Sequence, residues 1–516
     1  MLRSRFLHVF LFAVYPFVAL YAHSVNQMFV DELVLPTAAG ILLAALLWVL
    51  LFYVCKRHVE QASLVASLCL VAFWSYGHVY EALGGVHVAG RSLQHHSVLL
   101  PGFCLVAAVT AWKLATARSR QQATQFLNIA GLAGISVPLW TAVQFNLASS
   151  VRSDRHALKA ELPAARPDPS PPPQHRPDIY YLVLDGFASV RTVKEDFRVD
   201  RTEFVDYLEK RGFYVAAESC SNYGVTWLSL ASSLNTMYLD SIGRAAGRES
   251  RDERPAHRMI RDNAIMRYVK SLGYRCIHIG SSWRATYGSA QANEVIHPTP
   301  SWDLTQQLIA GSLLRVAPRG RGTIAMDVGF EAHRRAVLGA FRAVSEVKDQ
   351  PGPKFVFAHI LCPHPPYVFD RNGRPVDFET AGASEEEKDR HRLEQWLFTE
   401  SKVRELVEEL LSGGADKPVI IIHGDHGFQP PLETGSNGQL PSTPALRRRF
   451  GIFTAICLPN GSYEHFYPSI SPVNVFRLVA NACFGERMGL LPDRAFLSSF
   501  DRPYDFVEVT GRLREQ

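Results

Sequence analysis

Near residue 150 the pattern of apolar and polar positions changes character. Before it, apolar side chains run in long stretches with few charges; beyond it, short apolar runs alternate with amphipathic segments. Five early stretches approach the roughly 20 apolar residues that cross a bilayer. They are Phe6–Tyr21, Leu33–Val54, Ala62–Tyr80, Ser97–Trp112 and Phe126–Leu147. The first follows Arg3 and Arg5 and has the outline of a secretory signal. Four further spans come after it, so it reads as a membrane helix. The pattern predicts a five-helix transmembrane domain over residues 1–150.

Residues 151–177 read as a linker. Pro163, Pro167, Pro169 and the run Pro171-Pro172-Pro173 favour extended geometry and a semi-rigid spacer. From 178 to 516 strand-like and helix-like segments alternate. Asp178–Leu184, Tyr274–Ile279, Lys354–His359 and Val419–His423 read as strands. Glu203–Arg211, Ala256–Leu272, Ala332–Val347 and Ser384–Leu411 read as helices. The last opens on a capping box, Ser384 with Glu387, and Gly413-Gly414 stops it. Such alternation predicts an α/β domain with a mostly parallel central sheet covered by helices on both faces.

The basic residues orient the spans. Arg3 and Arg5 precede the first; Lys56 and Arg57 separate the second from the third; Lys113, Arg118 and Arg120 separate the fourth from the fifth. The alternate loops carry Asp31 and Glu32, then only Arg91. The N-terminus is expected in the cytoplasm and the domain after the fifth span outside, as in a multi-pass inner-membrane protein with a periplasmic domain. Net charge is only +5, without a basic cluster interleaved with aromatics, so no nucleic-acid footprint is expected. Five of the eight cysteines lie in the exterior part, where an oxidising compartment permits disulfides.

The candidate chemistry sits at strand ends. Val419–His423 runs into Gly424-Asp425-His426-Gly427, and Ile179–Leu184 runs into Asp185-Gly186. Two apolar strands that each release an Asp beside a Gly predict one site at the carboxyl edge of a parallel sheet. A carboxylate beside an imidazole suits a divalent metal, zinc or manganese. Ser221–Ser232 reads as a loop entering a helix with Thr226 near its start. Amides there favour an anion, and a hydroxyl beside a metal is an activated nucleophile. A helix-capping role for Thr226 fits its position equally well, and Ser221 and Ser229 are the alternative hydroxyls. His359 and His364 flank a proline-rich loop after the third strand, where binding residues collect. His364 is the better candidate, since His359 falls inside the strand. His278 reads as structural.

Taken together these residues resemble the alkaline phosphatase superfamily in its sulfatase-like branch. The likeness is strongest to membrane-anchored phosphotransferases such as lipoteichoic acid synthases and lipid A phosphoethanolamine transferases. It rests on Asp185, the Thr226-x-x-Ser229 helix start, the Pro-His-Pro loop at His364, and Asp425-His426. The resemblance implies that Asp185, Thr226, Asp425 and His426 hold one divalent metal. It also implies that Thr226 becomes phosphorylated and that His364 contacts substrate; His359, at the same strand end, is a second candidate for substrate binding. The expected reaction takes a head group from a phospholipid donor to a glycan or lipid hydroxyl. The named transferases carry Glu where this chain has Asp185, and the Cys/Ser-x-Pro-x-Arg pattern of sulfatases is missing around Thr226. Asp185-Gly186-Phe187 is similar to two-zinc nucleotide phosphodiesterases, but their Asp four residues before a ligand His is Ile360 here. The alternatives are a sulfate- or phosphate-ester hydrolase and a non-catalytic membrane scaffold. A reporter active only in the cytoplasm, fused after Gln516, is expected to be silent; strong signal there overturns the topology.

Overall fold

The computed structural model describes residues 4–515 except 85, 89–90, 117–119, 153–175, 300–302, 317–328, 379, 381, 413–416 and 429–439. The proline run and Gly413-Gly414 therefore lie outside the described residues. The chain divides into two compact units. One holds Met1–Val151 with Leu304–Val328; the other holds Arg152–Asp303 with Gly329–Gln516.

The first unit is helical. It contains α1 (Leu7–His23), α2 (Asp31–Val54), α3 (Val59–Ala82), α4 (His96–Thr116) and α5 (Arg120–Arg152). Four of them, α2 to α5, are long and apolar enough to cross a membrane; α1, at 17 residues, is shorter. A small core of Val9, Ala13, Ala44, Ala66 and Leu70 joins α1, α2 and α3, while many of the large apolar side chains face outward. Among the described residues every exposed large apolar side chain except Leu314, Leu490 and Phe500 lies before residue 148. Such a surface is stable only against lipid or protein. A later piece of chain, the helix Asp303–Gly311 and the turn Leu313–Val316, also belongs to this unit.

The second unit is built on a seven-stranded sheet. Its strands are β1 (Ile179–Leu184), β2 (Phe213–Val215), β3 (Arg275–Ile279), β4 (Glu294–Ile296), β5 (Lys354–Ile360), β6 (Val419–Gly424) and β7 (Thr454–Cys457). Their order across the sheet is β2-β7-β6-β1-β5-β3-β4. The five strands from β6 to β4 are mutually parallel, and β7 and β2 close one side antiparallel. Every residue of β1, β5 and β6 is buried, as continuous Val/Ile-rich runs require when helices cover both faces. Alternate residues feed two cores: Tyr181 and Val183 point to one face, Tyr180 and Leu182 to the other.

The predicted strands appear within a residue or two, joined by three short ones, β2, β4 and β7. The predicted helix Ala256–Leu272 is two helices, Arg254–Arg261 and Ala264–Ser271. Asn263 breaks it: its side chain accepts from the Met266 amide and caps a new start. Ser384 and Glu387 form the capping box of helix Glu385–Leu411. All eight cysteines are free.

His278 in β3 has its Nε2 donating to the Thr286 carbonyl at 2.8 Å. Burial lowers its pKa from 6.5 to about 4. The unfolded chain then binds the extra proton between those values, so stability falls as pH drops from about 6.5 towards 4. At about 1.4 kcal/mol per unit the loss from this residue is on the order of 3 kcal/mol. In urea titrations at pH 7 and pH 5, His278→Gln is expected to narrow the gap between the two midpoints.

Candidate metal centre

Register places the two aspartates. In the parallel pair β1–β6, Leu184 lies opposite Gly424, so the strands end level and the next residues, Asp185 and Asp425, emerge together. Two glycines permit this. Gly186 has a φ of 76°, a left-handed conformation that favours glycine, and its amide turns back to donate to Asp425 Oδ1 at 2.9 Å. A Cβ at Gly424 would run into the Phe187 carbonyl. On the other flank β5 ends level with β1, with Ile360 opposite Leu184. The Asp185 amide donates to the Ile360 carbonyl at 2.9 Å, and the His364 amide donates to the Asp185 carbonyl at 3.0 Å.

Asp185, Asp425 and His426 offer ligand atoms within 4.8 Å of one another. His426 Nδ1 donates to the Gly427 carbonyl at 2.8 Å, which fixes the tautomer and leaves Nε2 as a lone pair. That Nε2 lies 3.5 Å from Asp185 Oδ1, 3.3 Å from Asp425 Oδ2 and 3.1 Å from Thr226 Oγ1. Donors about 2.1 Å from a tetrahedral ion are about 3.4 Å apart, so the spacing fits a divalent metal. Asp185 Oδ1 and Asp425 Oδ2 are buried without a hydrogen bond, so each could serve as a ligand to a cation.

Thr226 is the first residue of α6 (Thr226–Ser233). It caps nothing: Val225 is the cap residue, and the hydroxyl is directed at His426. Of these four groups it alone is partly exposed. Ser229, one turn on, is buried and donates to the Asp425 carbonyl at 2.6 Å, so its hydroxyl is engaged in holding the loop. Ser221 is fully buried. His359 Nδ1 meets Thr286 Oγ1 at 3.1 Å and its Nε2 lies 3.7 Å from Asp185 Oδ2, beside the cluster. His364 is half-buried; its Nδ1 donates to the Pro365 carbonyl at 2.5 Å, and its ring centre is 6.5 Å from that of His426.

The charges in the cluster are set by burial. Burial and the charge of Asp425 push Asp185 well above the ordinary carboxylate value. Burial opposes ionisation of Asp425 too, but His426, His359 and the Gly186 amide outweigh it and hold its carboxyl below the usual range. Burial, with Arg449 nearby, lowers His426 to about 3, and burial lowers His359 to about 4. Both imidazoles are neutral at physiological pH, as metal ligation requires.

Arg449 is a residue beside the cluster that the sequence pattern hides. It is the penultimate residue of the helix α7 (Thr443–Phe450) and is buried at 2% exposure. Its Nε donates to the Gly224 carbonyl at 2.7 Å, just before Thr226. Its own carbonyl accepts from the Gly427 amide at 2.6 Å, just after His426. One residue therefore ties the hydroxyl-bearing corner to the Asp425-His426 loop and sets a cation beside two carboxylates.

No family model matches this chain, and no curated protein matches it. Several solved structures are similar. The periplasmic domain of EptC from Escherichia coli shares 12% identity at a TM-score of 0.42, covering 65% of this chain and 93% of its own. That of the phosphoethanolamine transferase EptC from Campylobacter jejuni shares 14% at 0.37, covering 62% and 92%. The Bacteroides fragilis protein yidJ, classed as a sulfatase, shares 14% at 0.39, covering 65% and 83%.

Two substitutions separate binding from positioning. Asp425→Ala is expected to abolish zinc uptake in equilibrium dialysis and activity with it. Arg449→Met is expected to keep the metal while activity falls roughly 100-fold, the scale of loss from a small misplacement of reacting groups.

Proposed function

We propose that this chain is a membrane-anchored, metal-dependent phosphotransferase of the sulfatase-like class, with Thr226 as its nucleophile. The observation that carries the reading is the Thr226 hydroxyl. It lies 3.1 Å from the free nitrogen of His426, inside the Asp185–Asp425–His426 cluster, and is the member of that cluster open to solvent. Asp185, Asp425, His426 and Thr226 would hold one divalent ion, and their mixed nitrogen and oxygen donors at near-tetrahedral spacing favour zinc over manganese. When bound, the ion supplies a Lewis acid that stabilises an alkoxide and a phosphoryl oxygen.

This chain's own groups do the rest. The start of α6 presents backbone amides to an anion. Thr226 Oγ forms a bond to phosphorus as its proton leaves. The bond from phosphorus to the donor's diacylglycerol oxygen breaks, and that oxygen takes up a proton. A glycan or lipid hydroxyl then attacks the phospho-threonine and restores the Thr226 hydroxyl. His364, half-buried beside the cluster, would meet the substituent on phosphorus; His359, fully buried, would act from behind Asp185, and Arg449 would keep the Thr226 corner seated. The apolar exterior of α2 to α5 supports a lipid donor, since the anchor keeps enzyme and substrate in one plane. With α1 as a fifth crossing, residues 178–516 lie outside the cytoplasm, joined to the bundle by the proline-rich linker 151–177.

Mass spectrometry of protein trapped during turnover with labelled phospholipids tests the reading. A phosphoryl adduct on the peptide spanning residues 222–233, absent in Thr226→Ala, is expected. Activity of Thr226→Ala should fall by several orders of magnitude, as when other catalytic nucleophiles are removed. A sulfated adduct moves the chain to the sulfatases, and an adduct on Ser221 or Ser229 assigns the reaction to another hydroxyl.

A further inference from the structure

The first unit encloses a cavity of about 690 Å³ among α1, α3, α5 and the helix Asp303–Gly311. Its volume is in the range of ligand sites. Phe12 and Leu20 of α1 and Leu70 and Trp74 of α3 give it apolar walls. Gly131 and Gly134, near the middle of α5, also line it; Gly131 packs close to Leu11, while at Gly134 the nearest neighbour of an added Cβ is Tyr15 at 3.9 Å. Polar groups gather at one end. His23 is the last residue of α1, His78 is one turn from the end of α3, and Gln307 comes from the late helix. The opposite ends of α1 and α3 follow Arg5 and Lys56-Arg57, so by the charge rule the polar rim faces outward.

The late helix is latched in place. A Cβ at Gly77 would run into the Ala310 carbonyl, so α3 and the late helix meet backbone to backbone, as small residues allow in membranes. Arg315 pairs with Glu81 at 2.5 Å and stands 4.4 Å over the Tyr80 ring. Residues 303–316, separated in sequence from the other membrane helices by the whole first half of the second unit, thus complete the wall and the rim.

We propose that this cavity holds one acyl chain of a membrane phospholipid, with the head group at the His23–His78–Gln307 rim. The occupant follows from the surroundings. Two of its walls, α3 and α5, are long and apolar enough to cross a membrane and α1 is a shorter apolar helix, so hydrocarbon rather than water surrounds them. A site apolar along its length and polar at one end matches an amphiphile. The inference rests on the reading of a lipid-using phosphotransferase and identifies where such a lipid is gripped.

The test uses the full chain, reconstituted with phosphatidylethanolamine and phosphatidylglycerol, re-extracted in mild detergent and examined by native mass spectrometry. The wild type should retain one phospholipid per chain. Gly134→Leu puts a side chain into the cavity and should retain none. Gly134→Ala adds only a Cβ, whose nearest neighbour within 4 Å is Tyr15 at 3.9 Å, and should retain it. Gly77→Leu, which pries off the late helix, should also lose the lipid. Equal retention in Gly134→Leu overturns the proposal, as does a wild type carrying only detergent or free fatty acid. Retention requires no turnover. A lipid held by a protein that transfers nothing overturns the phosphotransferase reading and leaves the cavity assignment standing. Donor turnover with unchanged retention in Gly134→Leu does the reverse.

Discussion

Two carboxylates forced into one buried space are what the second unit is organised around. Asp185 and Asp425 meet because β1 and β6 are parallel, adjacent and end level. Buried like charges repel strongly in a medium of low polarisability. The fold answers with a cation of its own, Arg449, with the Gly186 amide directed at Asp425, and with a neutral imidazole whose Nε2 faces both acids. One oxygen on each aspartate remains buried without a hydrogen bond.

Much of this was legible along the chain because it depends on short-range rules. A buried parallel strand must be a nearly continuous β-branched run, and the residue after it emerges at the sheet edge whatever the rest of the fold does. That is why Asp185 and Asp425-His426 could be picked out from Ile179–Leu184 and Val419–His423. Thr226 was legible as a helix start, but whether it capped that helix or faced a ligand depended on where His426 came to rest. Arg449 was not legible. In Arg447-Arg448-Arg449 it has the look of a solvated helix face, and only the Gly224 and Gly427 contacts bury it. The break at Asn263 was missed because an apolar face continued across it. Strands of three or four residues, such as β2, β4 and β7, are too short to show a period.

The membrane unit shows a different limit. Hydropathy finds helices that must be lipid-compatible, and it found α1 to α5 to within a few residues. It is silent about the segment 303–316, whose attachment runs through Gly77, Gly311 and one ion pair rather than through an apolar stripe. Glycine contacts of this kind have no hydrophobic signature, yet they allow the closest backbone approach.

Helix α6 touches the Asp425-His426 loop twice, through Thr226 to the His426 ring and through Ser229 to the Asp425 carbonyl. The two contacts are one helical turn apart and tie residues 224–229 to 424–427 in one register. Insertions inside either run would shift a hydroxyl off its partner, while chain added elsewhere would leave the pair in register. The cluster and the loops around the sheet edge can therefore vary independently. Those loops could be remodelled in length and sequence while the paired segments keep the geometry of Thr226, Asp425 and His426.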